Sequence, residues 1–125
     1  WAYTNFVTSG EVPYLNLPAI GYDPGGRSGR GYALGRYRGE DIAYGEVEYR
    51  FPISPCSQIL GGVIFANVTT TSDRDRNVRL FQYLRPGFGA GIRIMVAKYF
   101  RTNILIDFGI GYQSHGIYIQ AQEAF

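Results

Sequence analysis

Apolar and polar residues alternate along five stretches of the chain, and a period of two places successive side chains on opposite faces of a β-strand. The clearest contrast lies in residues 42–53: Ala43, Gly45, Val47, Tyr49, Phe51 and Ile53 share one face, and Tyr44, Glu46, Glu48 and Arg50 share the other. A second run over 59–71 sets Leu60, Ile64, Ala66, Val68 and Thr70 against Gly61, Val63, Phe65, Asn67 and Thr69. A third, 88–98, sets Phe88, Ala90, Ile92, Ile94 and Val96 against Gly89, Gly91, Arg93, Met95 and Ala97. In 102–112, Ile104, Ile106, Phe108, Ile110 and Tyr112 alternate with Asn103, Leu105, Asp107, Gly109 and Gly111. The last run, 115–125, carries Ile117, Ile119, Ala121 and Phe125 on one face, broken by Glu123 near its end.

The remainder reads as connection. Trp1–Thr8 fits the end of a strand, and Pro13 and Pro18 imply irregular chain after it. Residues 20–41 hold seven glycines and four arginines and form a long loop, a feature that in compact folds is usually functional or disordered. Residues 72–86 form a polar loop with Asp73, Arg74, Asp75, Arg76 and Arg79. The links at 53–59 and 98–102 are short, whereas those at 20–41 and 72–87 are long. Bacterial membrane barrels alternate connections in this way, with short turns in the periplasm and long loops outside. The short 113–115 link departs from that scheme.

Each run spans about 9–12 residues, the length a tilted strand needs to cross a bilayer. A soluble sandwich or barrel also alternates, so the character of the two faces has to decide. The apolar faces carry no charge except near strand ends, at Lys98 and Glu123. A charge on a lipid-facing midpoint costs about 2–4 kcal/mol, falling to about 0–1 kcal/mol near the interfaces. The opposite faces are small or sparsely charged, with Gly89, Gly91, Gly109 and Gly111 on them, and lysine is nearly absent outside Lys98, whereas the solvent face of a soluble sheet usually carries Lys, Glu and Thr. Tyr49 and Phe51 precede the first short turn, and Tyr99 and Phe100 occupy the second, as an interfacial aromatic girdle would.

Composition agrees. Charged residues are 18% of the chain and aromatics 16%, with 17 glycines and 11 tyrosines among 125 residues. These observations predict an all-β protein: part of a transmembrane antiparallel β-barrel in the bacterial outer membrane, with about five strands and a long loop, either the carboxy-terminal part of a longer barrel or one of several copies that combine. Five strands fall short of the roughly eight that close a membrane barrel, and an open edge in lipid leaves backbone groups unpaired. The remaining strands are therefore expected from the same protein or from other copies. The chain opens on Trp1 without a basic leader, which implies a processed chain or a fragment.

Other chemistries find little support. The net charge of +2 and the scattered arginines give no nucleic-acid footprint. Cys56 is the single cysteine, which excludes an internal disulfide. No run of about 18 apolar residues provides a transmembrane helix. His115 and Ser114, adjacent on a strand, point to opposite faces and form no nucleophile–base pair. No Cys/His cluster suits zinc. Gly87-Phe88-Gly89-Ala90-Gly91 lacks the following helix that a nucleotide loop needs. The expectation is a non-enzymatic protein without cofactor or metal.

Gly29-Arg30-Gly31-Tyr32, followed by Glu46-Val47-Glu48-Tyr49-Arg50-Phe51-Pro52-Ile53 and a terminal Phe125, resembles the BamA/TamA outer-membrane assembly superfamily, the bacterial surface-antigen barrel. The resemblance covers about residues 11–125. That family carries a Val/Ile-Arg-Gly-Phe/Tyr motif on its long sixth extracellular loop, ahead of a strand with a glutamate facing the lumen. The resemblance implies that the loop folds into the lumen and that Arg30 reaches Glu48, a guanidinium fork meeting a carboxylate in a confined polar space. Gly31 would permit close chain approach, and Tyr32 would wedge against the wall. The interior candidates on the polar faces are Glu46, Glu48, Arg50, Asn67, Arg93 and Asp107. Two positions depart from the family pattern: Gly29 replaces Val/Ile, and Asn67 stands where a second acidic partner is expected. Ile117, Ile119 and Phe125 resemble the terminal signal that the assembly machinery reads. In the assembly factor that strand also forms a weak seam able to template an incoming strand.

The resemblance implies a factor for outer-membrane protein insertion, with the lipid bilayer and unfolded barrel proteins as partners and no covalent chemistry. A related secretion channel or passive pore for protein translocation is the alternative. A soluble β-barrel binding a small apolar ligand is the third reading.

Overall fold

The computed structural model describes residues 1–23, 26–54, 59–74, 76–97 and 102–123. Six strands form one antiparallel sheet in chain order: β1 (Ala2–Phe6), β2 (Asp41–Pro52), β3 (Leu60–Thr71), β4 (Arg85–Ala97), β5 (Thr102–Gly111) and β6 (Ser114–Glu123). The sheet is open, with β1 and β6 at its edges. Among the described residues the only helical element is a single 3₁₀ turn, Tyr14–Asn16. No helix in them is long and apolar enough to cross a membrane, which has no bearing on crossing by strands.

The all-β expectation therefore holds at the level of an antiparallel sheet, with two corrections. The strands number six, because the amino-terminal stretch pairs as β1 with the start of β2, from Ala2↔Gly45 to Phe6↔Asp41. The third predicted strand begins at Arg85 rather than Phe88. Proline 86 discouraged that extension, since it has no N–H to give to a ladder. It is tolerated because pairing with β5 begins only at Gly87↔Gly111, so Pro86 has a strand neighbour on the β3 side alone.

Register aligns residues across the sheet in rows. One row reads Glu48, Phe65, Gly89, Gly109, Gly116; the next reads Arg50, Val63, Gly91, Asp107, Tyr118. Both belong to one face, and the long loop between β1 and β2 lies over it. The loop is tied down by Val7 N–H to the Glu40 carbonyl (3.0 Å), Gly39 N–H to the Pro18 carbonyl (3.1 Å) and Ile20 N–H to the Tyr37 carbonyl (3.0 Å). Ile20, Tyr32 and Ile42 form a small buried core, with Tyr3 and Tyr37 packed against it.

The opposite face is bare. Val47, Tyr49, Ile64, Phe88, Phe108, Ile117 and Ile119 are all exposed, up to 76% for Val47, while Val63 and Phe65 on the covered face are at 1% and 4%. Ile92 and Ile106 are also exposed on the bare face. Tyr49 and Phe51 stack there with ring centroids 6.1 Å apart. Thr70 keeps the register of Ile64 and Val68 but is buried, and its hydroxyl accepts the Phe81 N–H (2.9 Å) from the loop after β3. The expectations that rest on Cys56, Lys98, Tyr99, Phe100 and Phe125 lie outside the described residues.

Candidate functional site

The site is built on a floor cleared by glycine. Gly87 and Gly89 of β4, Gly109 and Gly111 of β5 and Gly116 of β6 form a side-chain-free band on the covered face. A chain segment can approach such a band at backbone distance. A Cβ on Gly109 would lie 2.6 Å from the Gly31 nitrogen, and one on Gly87 would lie 3.2 Å from the Arg30 carbonyl oxygen. Gly31 itself has φ +101°, a left-handed conformation that favours glycine, and a Cβ there would meet the Ile110 carbonyl carbon at 3.0 Å.

The loop reaches this band in a defined shape. The Asp23 carboxylate accepts the Ser28 N–H (2.9 Å), the Arg27 N–H (3.1 Å) and the Ser28 hydroxyl, and the Ser28 oxygen in turn accepts the Gly21 N–H at 2.7 Å. These contacts clip Arg27 and Ser28 to Asp23 and Gly21 just before Arg30. Past Arg30, the Tyr118 hydroxyl accepts the Gly31 N–H (2.9 Å) and donates to the Tyr32 carbonyl (2.7 Å). The Tyr32 hydroxyl donates to the Pro86 carbonyl and accepts the Tyr112 N–H (3.1 Å), while its ring meets Tyr37 edge-on at 5.0 Å. Burial pushes the Tyr32 phenol above its ordinary pKa, against the opposing influence of the Tyr112 N–H and the nearby Arg85 and Arg36 charges.

Arg30 is the centre of the arrangement. Its Nε donates to Glu46 Oε2 at 3.1 Å and its Nη2 to Glu46 Oε1, a two-pronged contact; Nη2 also meets Glu48, and Nη1 donates to Asp107 Oδ2 at 2.8 Å. The guanidinium lies over the Phe65 ring, 3.9 Å from its centroid. Three carboxylates thus converge on one cation. Arg93, which pairs with Asp107 and lies 3.8 Å from Glu48, and Arg50, which pairs with Glu48, bring the set to three arginines and three acids. Charge is balanced, the condition under which a buried ionic cluster is tolerated. Burial opposes the Arg30 charge, but the hydrogen bonds and charges of Glu46, with those of Glu48 and Asp107, outweigh it and hold its pKa above the ordinary arginine value.

Each predicted site residue has a defined place. Arg30 contacts Glu48, the partner the resemblance implies, and also Glu46 and Asp107, which it did not single out. Asn67 does not act as a charge substitute: its Nδ2 donates to the Arg30 carbonyl at 2.9 Å and so holds the loop backbone. Its Oδ1 is buried without a hydrogen-bond partner. Arg50 is exposed at the edge of the cluster. Ile117 and Ile119 stand on the bare face. Phe65, Tyr118 and the Asp23–Ser28 turn were missed. Phe65 and Tyr118 share face parity with Asn67 and Asp107, and that parity was the available signal. The Asp23–Ser28 turn had none beyond two turn-forming residues in a glycine-rich stretch. The Gly87–Gly91 segment lies within β4, and among the described residues no group of His, Cys, Asp and Glu side chains is arranged to hold a metal ion.

In comparisons with known proteins, no family model, no curated protein and no solved structure matches the chain.

Proposed function

We propose that this sheet is the carboxy-terminal wall of an outer-membrane β-barrel of BamA/TamA type, and that the complete barrel inserts unfolded outer-membrane proteins without covalent chemistry. One observation carries the reading: the face that no part of this chain covers is apolar, while a cluster of charged side chains is enclosed on the other. The enclosed face holds the Arg30, Glu46, Glu48 and Asp107 cluster, and the uncovered face holds Val47, Ile106, Phe108, Ile117 and Ile119. In water, uncovered apolar surface is unfavourable by roughly 25 cal/mol per Å²; against hydrocarbon that penalty disappears. A soluble barrel that binds an apolar ligand would need the reverse arrangement, with apolar side chains enclosed.

In this reading β1 and β6 pair with strands outside this chain, from the same protein or other copies, because an unpaired edge is not tolerated in lipid. The loop fills part of the lumen and is latched there by Arg30. The latch supports the wall from within, while the pairing made by β6 is a weak seam that opens for an incoming strand to add by backbone pairing.

Two measurements test the proposal. Membranes washed with urea or alkaline carbonate should retain the protein, and detergent should be needed to extract it; a folded protein recovered without detergent would sink the membrane reading. Depletion should then lower the amounts of other outer-membrane barrel proteins. Unchanged amounts together with stepwise single-channel conductance would replace the insertion role with that of a pore or secretion channel.

A further inference from the structure

The loop between β3 and β4 holds three apolar side chains away from the protein. Phe81, Tyr83 and Leu84 are 66%, 53% and 57% exposed. Phe81 has φ +69°, a left-handed conformation that is an outlier for a bulky residue and persists only where surrounding contacts enforce it. Its N–H donates to the Thr70 hydroxyl (2.9 Å), and the Arg79 carbonyl accepts the Gln82 N–H (3.1 Å). Thr70 shares the register of Ile64 and Val68, so the turn is tied to the bare side of the sheet. Leu84, two residues before Pro86, continues the alternation of Pro86 and Phe88 along the same side. Exposed apolar groups gathered in this way mark a surface that something else covers.

The length of β4 sets the level at which this turn lies. On the bare face β4 runs from Pro86 to the exposed Val96, ten residues on. At about 3.4 Å per residue and a tilt of about 40°, that stretch rises about 26 Å, against an apolar band of about 25 Å in membrane barrels. Residues 79–85 therefore fall just past the band, at the level of the headgroups, where tyrosine and arginine are favoured. There the Arg85 guanidinium lies 4.7 Å from the Tyr112 ring centroid and 5.8 Å from that of Tyr83. Neither Arg79 nor Arg85 pairs with a carboxylate among the described residues, which leaves the turn cationic and complementary to an anionic lipid surface. We infer that residues 79–85 are a membrane-interface anchor: Phe81, Tyr83 and Leu84 enter the headgroup region of the bilayer, and Arg79 and Arg85 face its anionic groups. This inference rests on the membrane reading of the bare face. The partner is the lipid surface as a whole, not an ion in an enclosed pocket.

An environment-sensitive fluorophore on a single cysteine tests both levels in the protein folded into lipid vesicles. The label is placed at Phe81→Cys or at Ile106→Cys, each combined with Cys56→Ser. It is quenched by lipids that carry a nitroxide either near the headgroup or deep in the acyl chain. The Ile106 label should lose more fluorescence to the deep nitroxide, and the Phe81 label more to the shallow one. An Ile106 label that neither nitroxide quenches removes the membrane reading and the inference with it. An Ile106 label quenched as expected, beside a Phe81 label that neither nitroxide quenches, overturns the anchor alone. Adding phosphatidylglycerol to neutral vesicles should shift the Phe81 emission further to the blue, and Arg79→Gln with Arg85→Gln should abolish that added shift. An added shift that is absent from the parent, or that survives both substitutions, overturns the role given to the arginines.

Discussion

Gly31 and Gly109 meet backbone to backbone, and that contact fixes how deeply the loop sits on the sheet. A methyl group on Gly109 would lie 2.6 Å from the Gly31 nitrogen and 2.9 Å from its Cα, and backbone atoms cannot swing aside as a side chain can. Gly109→Ala should therefore lift the loop, at a cost of about 1–3 kcal/mol typical of overpacking. Gly31→Ala should cost at least as much, since strain at φ +101° adds to its clash with Ile110. Limited proteolysis within residues 26–40 reads the lifted loop directly, and urea unfolding measures the cost.

Arg30→Ala would leave Glu46, Glu48 and Asp107 facing only Arg50 and Arg93. Removing one partner from a buried charged cluster typically costs about 3–5 kcal/mol. Arg30→Lys should recover only part of this, because an ammonium cannot reproduce the two-pronged contact with Glu46 or stack on Phe65 in the same way. Unfolding free energies ordered parent, Lys, Ala would agree with this account; equal values for Lys and Arg would show that charge alone matters.

Tyr118 joins β6 to the loop through one hydroxyl that both accepts and donates. Tyr118→Phe leaves the Gly31 N–H and the Tyr32 carbonyl without this partner, with an expected loss of about 1–3 kcal/mol. Hydrogen exchange at the Gly31 amide should accelerate in the variant while exchange in the centre of β3 stays slow.

The Tyr32 phenol gives the loop a pH dependence. Its folded pKa is raised by burial, so the unfolded state releases the proton first as pH increases. The stability Tyr32 contributes is complete below the unfolded value of about 10 and is lost as pH rises through the folded value. Proteolytic sensitivity of the loop should increase above about pH 10 in the parent, and Tyr32→Phe should remove that part of the increase.

The bare face separates the membrane setting from an aqueous one. Ile106→Arg places a charge near the middle of β5 on that face. If hydrocarbon covers it, bilayer insertion should weaken by about 2–4 kcal/mol, measured by folding into lipid vesicles at increasing urea. In water the same substitution would be neutral or would improve solubility.

The elements were legible in the chain because period-two alternation is a local property: Glu46, Glu48 and Arg50 against Val47, Tyr49 and Phe51 define a two-faced strand without knowledge of its neighbours. The polar loop at 72–86 was read too long, because Pro86 signals a break unless the neighbouring strand is known to end beside it. Trp1–Thr8 reads as the end of a strand, but β1 is short and its pairing with β2 crosses a loop of more than thirty residues, Val7 to Glu40, so nothing local gave its partner. Arg30 and Glu48 were singled out together through a motif resemblance, not through periodicity.

The alternation of residue types thus determined five of the six strands, their two faces and the identity of the charged groups on the covered one. Only the tertiary structure decided that Arg30 reaches Glu46 and Asp107 as well as Glu48, that Asn67 holds the loop backbone, and that five glycines from three strands form one continuous floor. The physical reason is sequence distance: Arg30 and Asp107 are 77 residues apart, and their meeting depends on the register of every ladder between them and on a backbone approach that only those glycines allow.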